Sequence, residues 1–192
     1  MPQPSPSPPQ PPNQALHGLA IRDARAEDMG AVEEIDARIT GLAKHDYWRH
    51  AFTRYGGRAD RWFLVAEHAG RVIGFIVGEQ RAWEFGSPPC GWIFAIGVAP
   101  DRRLGGIGSR LFEAIVARMG AAGLETLRTM LARDDTLNMA FFRSQGMMGG
   151  PFIQLEMPLP GALPQPRREQ GQPEPPLQPE APRQPEKGRE GP

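Results

Sequence analysis

Cysteine is nearly missing: Cys90 stands alone among 192 residues, so neither an intramolecular disulfide nor a cysteine-rich zinc site can form. Long apolar runs are missing too. No stretch of about 18 apolar residues occurs, which excludes a transmembrane helix and a membrane partner. The first fourteen residues hold no Lys or Arg and no apolar block, so no secretory signal is expected and the protein is expected in the cytoplasm. Charge of one sign is not in excess. The 22 basic residues balance 22 acidic ones, leaving no basic footprint for nucleic acid or anionic lipid. His45 and His50 are five apart, the wrong spacing for two ligands on one helix face, and no metal is expected.

Proline is scarce only in the middle of the chain. Residues 1–12 hold seven of the 22 prolines and residues 158–192 hold eleven. Residues 1–18 and 160–192 therefore read as disordered Pro-rich tails, too poor in apolar side chains to offset their ordering entropy. Residues 19–159 read as one globular domain large enough to stand without staples.

Within it, residues 19–21 read as a strand. A helix from Ala26 carries Met29, Val32, Ile35 and Ile39 on one face and stops at Gly41. Residues 45–55 form a second helix before Gly56 and Gly57. Residues 61–67 and 71–80 make an antiparallel hairpin about Ala69 and Gly70. Residues 91–99 are apolar throughout, which suits a central strand covered on both faces. A glycine-rich connection leads into a helix with Ile107, Leu111, Ile115 and Met119 spaced by four. Strands over 124–132 and 152–159 bracket a short helix over 136–145. The order gives a mixed α+β sheet domain. Trp48, Trp83, Phe85 and Trp92 suit either the core or an acceptor groove, and Cys90 suits a small buried position.

Arg103-Leu104-Gly105-Gly106-Ile107-Gly108 carries the chemistry. A buried strand feeds three glycines that open a helix, so backbone N–H groups converge at the helix's positive end on an anion, most naturally a phosphate. The nucleotide P-loop is excluded because no Lys follows the glycines. The dinucleotide fingerprint fails at Leu111, where a third glycine or alanine belongs. Gly97, inside an apolar strand, marks a bulge or a close approach of another backbone.

The stretch resembles the acetyl-CoA site of the GNAT superfamily of N-acetyltransferases, whose signature is Gln/Arg-x-x-Gly-x-Gly/Ala between a strand and a helix. The resemblance implies a mostly antiparallel central sheet flanked by helices. It implies that Arg103, Leu104, Gly105, Gly106, Ile107, Gly108 and Ser109 cradle the pyrophosphate, and that Ile96, Gly97 and Val98 pair with the pantetheine arm. Asp135 stands where the family often has a cofactor-side asparagine. Phe142 occupies the position of a tyrosine that in many members protonates the departing thiolate. The implied activity is acetyl transfer from acetyl-CoA to a primary amine, on a small molecule or a protein, in a ternary complex. A non-catalytic acyl-CoA-binding or partner-binding module is the alternative. The central strand holds no acid or histidine, so Glu79, then Glu84, are the candidate bases.

Overall fold

A computed structural model describes residues 18–82 and 86–160. Contacts divide the chain into two units, Met1–Met148 and Gly149–Pro192. The first holds a five-stranded sheet ordered as in the sequence: β1 (Leu19–Asp23), β2 (Arg61–His68), β3 (Arg71–Arg81), β4 (Cys90–Val98) and β5 (Leu127–Thr129). Every pairing is antiparallel except the parallel one between β4 and β5. Its helices are α1 (Met29–Thr40), α2 (His45–Tyr55), α3 (Ile107–Ala121) and α4 (Thr136–Ser144). The expected mixed sheet flanked by helices is what forms.

Two apolar layers result from strand alternation. Trp62, Leu64 and Ala66 of β2 face α3, where they meet Leu111, Phe112, Ile115 and Met119. Phe63 and Val65 face the other way, onto Val32 and Ile35 of α1 and Trp48 of α2. Burying Leu64 or Leu111 completely makes either worth about 2–5 kcal/mol against alanine. Helix α3 comes close to the sheet because Gly74 and Gly78 lack side chains. A Cβ on Gly78 would lie 2.7 Å from Met119 Cε and 2.8 Å from the Trp92 carbonyl oxygen.

Three expectations need correcting. The strand over 124–132 shrinks to Leu127–Thr129, whose partners are only Gly91, Trp92 and Ile93. The end of this pairing coincides with a bulge in β4: Val77 pairs with Ala95 but Gly78 with Ile93, leaving Phe94, the residue after the last β5 partner, as an extra residue. The bulge is thus at Phe94 and not at Gly97. Gly97 is a glycine for another reason, since a Cβ there would lie 2.6 Å from the Phe75 ring directly opposite. In the second unit the strand over 152–159 does not form, and Ile153, Leu155 and Met157 are exposed. Their alternation suits a half-buried strand, but alternation supplies no partner for the ladder. The tails over 1–17 and 161–192 lie outside the described residues.

Candidate functional site

The end of β4 runs through Ala99 into a 3-10 stretch, Pro100–Gly105, and then into Gly106. Gly106 has φ +70°, a left-handed conformation that turns the chain sharply into α3 and disfavours any residue with a Cβ. The first helical bond here runs from the Arg110 amide to the Gly106 carbonyl at 3.1 Å. The amides of Ile107, Gly108 and Ser109, ahead of it, belong to the helix's free donor end. Asp101, in the same stretch, accepts from Arg38 at 2.9 Å and so ties α1 to the loop. Its carboxyl is held below the usual range by its own backbone amide first and by that guanidinium second.

A cleft of about 240 Å³ opens against these donors. One wall is Ile96, Gly97 and Val98 of β4, and the floor is Arg103, Gly106, Gly108 and Ser109. Leu137, Asn138 and Phe141 of α4 and Ile39 of α1 complete the lining. The β4 wall is an open edge: β4 pairs with β3 through to Val98, but with β5 no further than Ile93. Backbone donors and acceptors from Phe94 to Val98 are therefore offered on the β5 side without a strand partner among the described residues. Such a cleft suits a ligand with an anionic group at one end and an extended, amide-bearing arm.

Seven of the expected cofactor residues come together here, namely Ile96, Gly97, Val98, Arg103, Gly106, Gly108 and Ser109. Ile107 turns its side chain into the core beneath α3 and can offer the cleft only its backbone. Leu104 and Gly105 belong to the 3-10 stretch that leads into Gly106. Asp135 acts at one remove. It caps α4, accepting from the Asn138 amide at 3.1 Å and from Asn138 Nδ2 at 2.8 Å, and so fixes Asn138 in the wall. Asn138, Phe141, Leu137 and Ile39 were not anticipated. A signal existed: Leu137, Asn138 and Phe141 are spaced to share one helix face once Asp135 is read as the cap.

Phe142 takes no part in the wall. It is 4 % exposed and its ring packs 6.1 Å from Phe112 and 5.2 Å from Phe141, measured between centroids. Glu79 lies beyond the bulge, opposite Trp92 on β4 and Arg61 on β2, and is absent from the cleft wall. Its Oε1 accepts from Arg81 Nε at 2.9 Å, and its side chain is 17 % exposed. Glu84, with Trp83 and Phe85, lies outside the described residues. Trp48 is a core residue whose Nε1 donates to Asp36 at 2.9 Å. Cys90 is buried at the start of β4. Among the described residues no three His, Cys, Asp or Glu side chains gather into a metal-binding group, and no helix is long and apolar enough to cross a membrane.

The family model described as Acetyltransferase (GNAT) family matches residues 20–147. Mycothiol acetyltransferase of Saccharomonospora viridis is 28 % identical over 139 residues, which cover 70 % of this chain and 43 % of that protein. L-2,4-diaminobutyric acid acetyltransferase of Nocardia farcinica is 30 % identical over 79 residues, 41 % of this chain and 39 % of that protein. The matches thus span about two fifths of the length of these curated relatives. An aminoglycoside N-acetyltransferase solved in complex with CoA shares the fold, with a TM-score of 0.65 at 15 % identity over 73 % of this chain and 94 % of that one.

Proposed function

The chain belongs to the acetyltransferase (GNAT) family, and from that premise we propose that it transfers the acetyl group of acetyl-CoA to the primary amine of a small molecule, by direct attack in a ternary complex. One observation carries the reading: a single cleft joins the donor end of α3 to the open edge of β4. The residues suit acetyl-CoA as substrate. The amides of Ile107, Gly108 and Ser109 meet the pyrophosphate, and the edge from Phe94 to Val98 takes the pantetheine amides as an added strand. At Gly108 there is little room for a side chain, since a Cβ there would lie 3.1 Å from the Phe141 ring.

The chemistry then asks for a donor to the thioester oxygen and a base for the amine. The bulge at Phe94 releases backbone N–H groups from the ladder, and one of these serves the oxygen. Glu79, which does not line the cleft, takes the proton from the attacking nitrogen through an intervening water as the new C–N bond forms and the C–S bond breaks. The thiolate leaves without a side-chain acid. A cysteine-like thiol pKa of about 8.5 makes that departure feasible near neutral pH. The acceptor class follows the relatives, whose names speak of mycothiol, diaminobutyric acid and aminoglycosides.

The test combines calorimetry of acetyl-CoA binding with release of free thiol over a panel of small amines and peptides. Micromolar binding with turnover on at least one small amine is expected. Binding without turnover on any acceptor refutes the transfer, and no binding refutes the site.

A further inference from the structure

Ser109 lies on the cleft floor in the first turn of α3, and its neighbours fix where its proton goes. Its Oγ is 3.1 Å from Nε2 of Gln145, the residue that ends α4. The same Nε2 is 3.0 Å from Ser144 Oγ, which in turn is 2.7 Å from the Phe141 carbonyl oxygen. A carbonyl only accepts, so the single hydroxyl proton of Ser144 goes to Phe141. Ser144 Oγ is left with lone pairs alone to offer Gln145, and the amide must face it with N–H. Turned over, the amide would set its oxygen against another oxygen's lone pairs at that 3.0 Å. One Nε2 hydrogen is thus donated to Ser144 and the other to Ser109. Ser109 Oγ is an acceptor on this side, and its own proton is turned elsewhere.

The choices for that proton are few. A serine in a helix commonly returns it to the carbonyl four residues back. Here that residue is Gly105, in the 3-10 stretch ahead of α3, and the bond does not form. Among the described residues the Ser109 hydroxyl has no acceptor. Around the cleft Ile39, Leu137 and Phe141 present carbon, Arg103 is a donor, and Asn138 is held against Asp135 by its Nδ2 at 2.8 Å. An anion entering against the free amides of Ile107, Gly108 and Ser109 is the acceptor this floor lacks. Accepting from an amide N–H also polarises the hydroxyl and makes it a stronger donor.

We propose that Gln145 is a positioning residue for acetyl-CoA: by donating to Ser109 Oγ it keeps the serine proton free for a pyrophosphate oxygen, adding a side-chain donor to the backbone amides of the loop. The inference rests on the cleft binding acetyl-CoA and is independent of the base and of the acceptor amine. Gln145 does not line the cleft and carries no charge, so its effect on the ligand passes through Ser109. No proton is transferred, since the hydroxyl donates while the pyrophosphate stays ionised.

The bond also ties the end of α4 to the start of α3, and two substitutions separate this clasp from the direction of the proton. Gln145→Glu keeps a hydrogen bond to Ser109 but reverses it, because a carboxylate at pH 7 only accepts and takes the serine proton for itself. Gln145→Leu removes the bond and leaves the proton undirected. Calorimetry with acetyl-CoA is run on full-length wild type, both variants, Ser109→Ala and the Ser109→Ala/Gln145→Glu double variant, beside thermal melts. Ser109→Ala should weaken binding about tenfold, the size expected for one hydrogen bond to a charged group, and Gln145→Glu at least as much. Gln145→Leu should weaken it about threefold. In the Ser109→Ala background Gln145→Glu should cost well under tenfold, because no serine proton remains to be captured. A clasp that mattered only for shape gives the reverse order, with leucine the weaker binder and glutamate near wild type, and that order overturns the inference. A glutamate loss undiminished in the Ser109→Ala background overturns it as well, since charge repulsion alone would then account for it. A wild type that binds no acetyl-CoA overturns the proposed function and this inference with it, whereas failure of the variants with wild-type binding intact overturns the inference alone.

Discussion

Gly106→Ala tests the loop at its most constrained point. Gly106 has φ +70° and lines the cleft, so alanine brings both backbone strain and a methyl group at the ligand surface. The left-handed region costs an alanine about 1–2 kcal/mol, partly offset by about 0.4–1 kcal/mol from the stiffer unfolded chain. Folding should lose about 0.5–1 kcal/mol on balance, a drop of a few degrees in melting temperature. Binding should suffer more. If the empty loop instead relieves the strain by leaving the left-handed region, folding is spared and acetyl-CoA must restore it, which costs up to the same 1–2 kcal/mol, or about a 5- to 30-fold weaker Kd. Asparagine tolerates this conformation better, so Gly106→Asn should lie between wild type and alanine. Gly106→Val adds branched methyls in the cleft and should abolish binding. Calorimetry with acetyl-CoA on the four proteins, beside thermal melts, checks the order. A valine variant that binds as tightly as wild type would refute the placement of the cofactor on this loop.

Three other outcomes follow from the packing. Asp28, 5 % exposed, accepts from both terminal nitrogens of Arg22 and from the Arg25 amide, and these hold its carboxyl below the ordinary value despite burial. Its folded pKa is depressed, so its stabilisation is complete above about pH 4 and is lost as pH falls through the lower folded value. Asp28→Asn should accordingly cost about 1.5–3 kcal/mol in urea unfolding at pH 7 and progressively less below pH 4. Gly78→Ala should cost about 1–3 kcal/mol, because Met119 can swing aside from the new Cβ but the Trp92 carbonyl, 2.8 Å away, is backbone; an unchanged melting curve would contradict the close seating of α3. Phe142→Tyr should lose about 1–3 kcal/mol by burying a hydroxyl among Phe112 and Phe141 and should gain no rate. A several-fold faster enzyme would show that the hydroxyl reaches the sulfur.

The sequence was legible where one local rule governs. Apolar spacing placed α1 and α3, glycine stops bounded α2 and α4, apolar and β-rich runs placed the first four strands, and the glycines before α3 located the cleft floor. It was less legible where an element depends on its partner. Ile153, Leu155 and Met157 alternate as a strand should, yet no ladder forms. β5 ends at Thr129, level with the bulge that begins at Phe94 of β4, which a reading of β5 alone does not reveal. Gly97 was rightly singled out, but the Phe75 ring that requires it stands 22 residues earlier in the chain. Asp135 drew attention by its position, whereas its effect is exerted through Asn138. Phe142 was read as facing the reaction, yet helical phase turns it to the core and gives Phe141 to the cleft.

The extra residue in β4 acts as a wedge. On either side of Phe94 the β3–β4 ladder is regular, and the residues flanking it, Ile93 and Ala95, already pair with successive positions, Gly78 and Val77. Cutting out that single codon would leave every other side chain on its present face and give the two strands an unbroken ladder. It would also remove the bend that keeps the end of β4 clear of β5, letting the parallel pair zip past Ile93 and Thr129 into the space of the cleft. The fold could thus survive the deletion while the ligand site closed. The boundary between a plain sheet and an open binding edge would then be one residue wide.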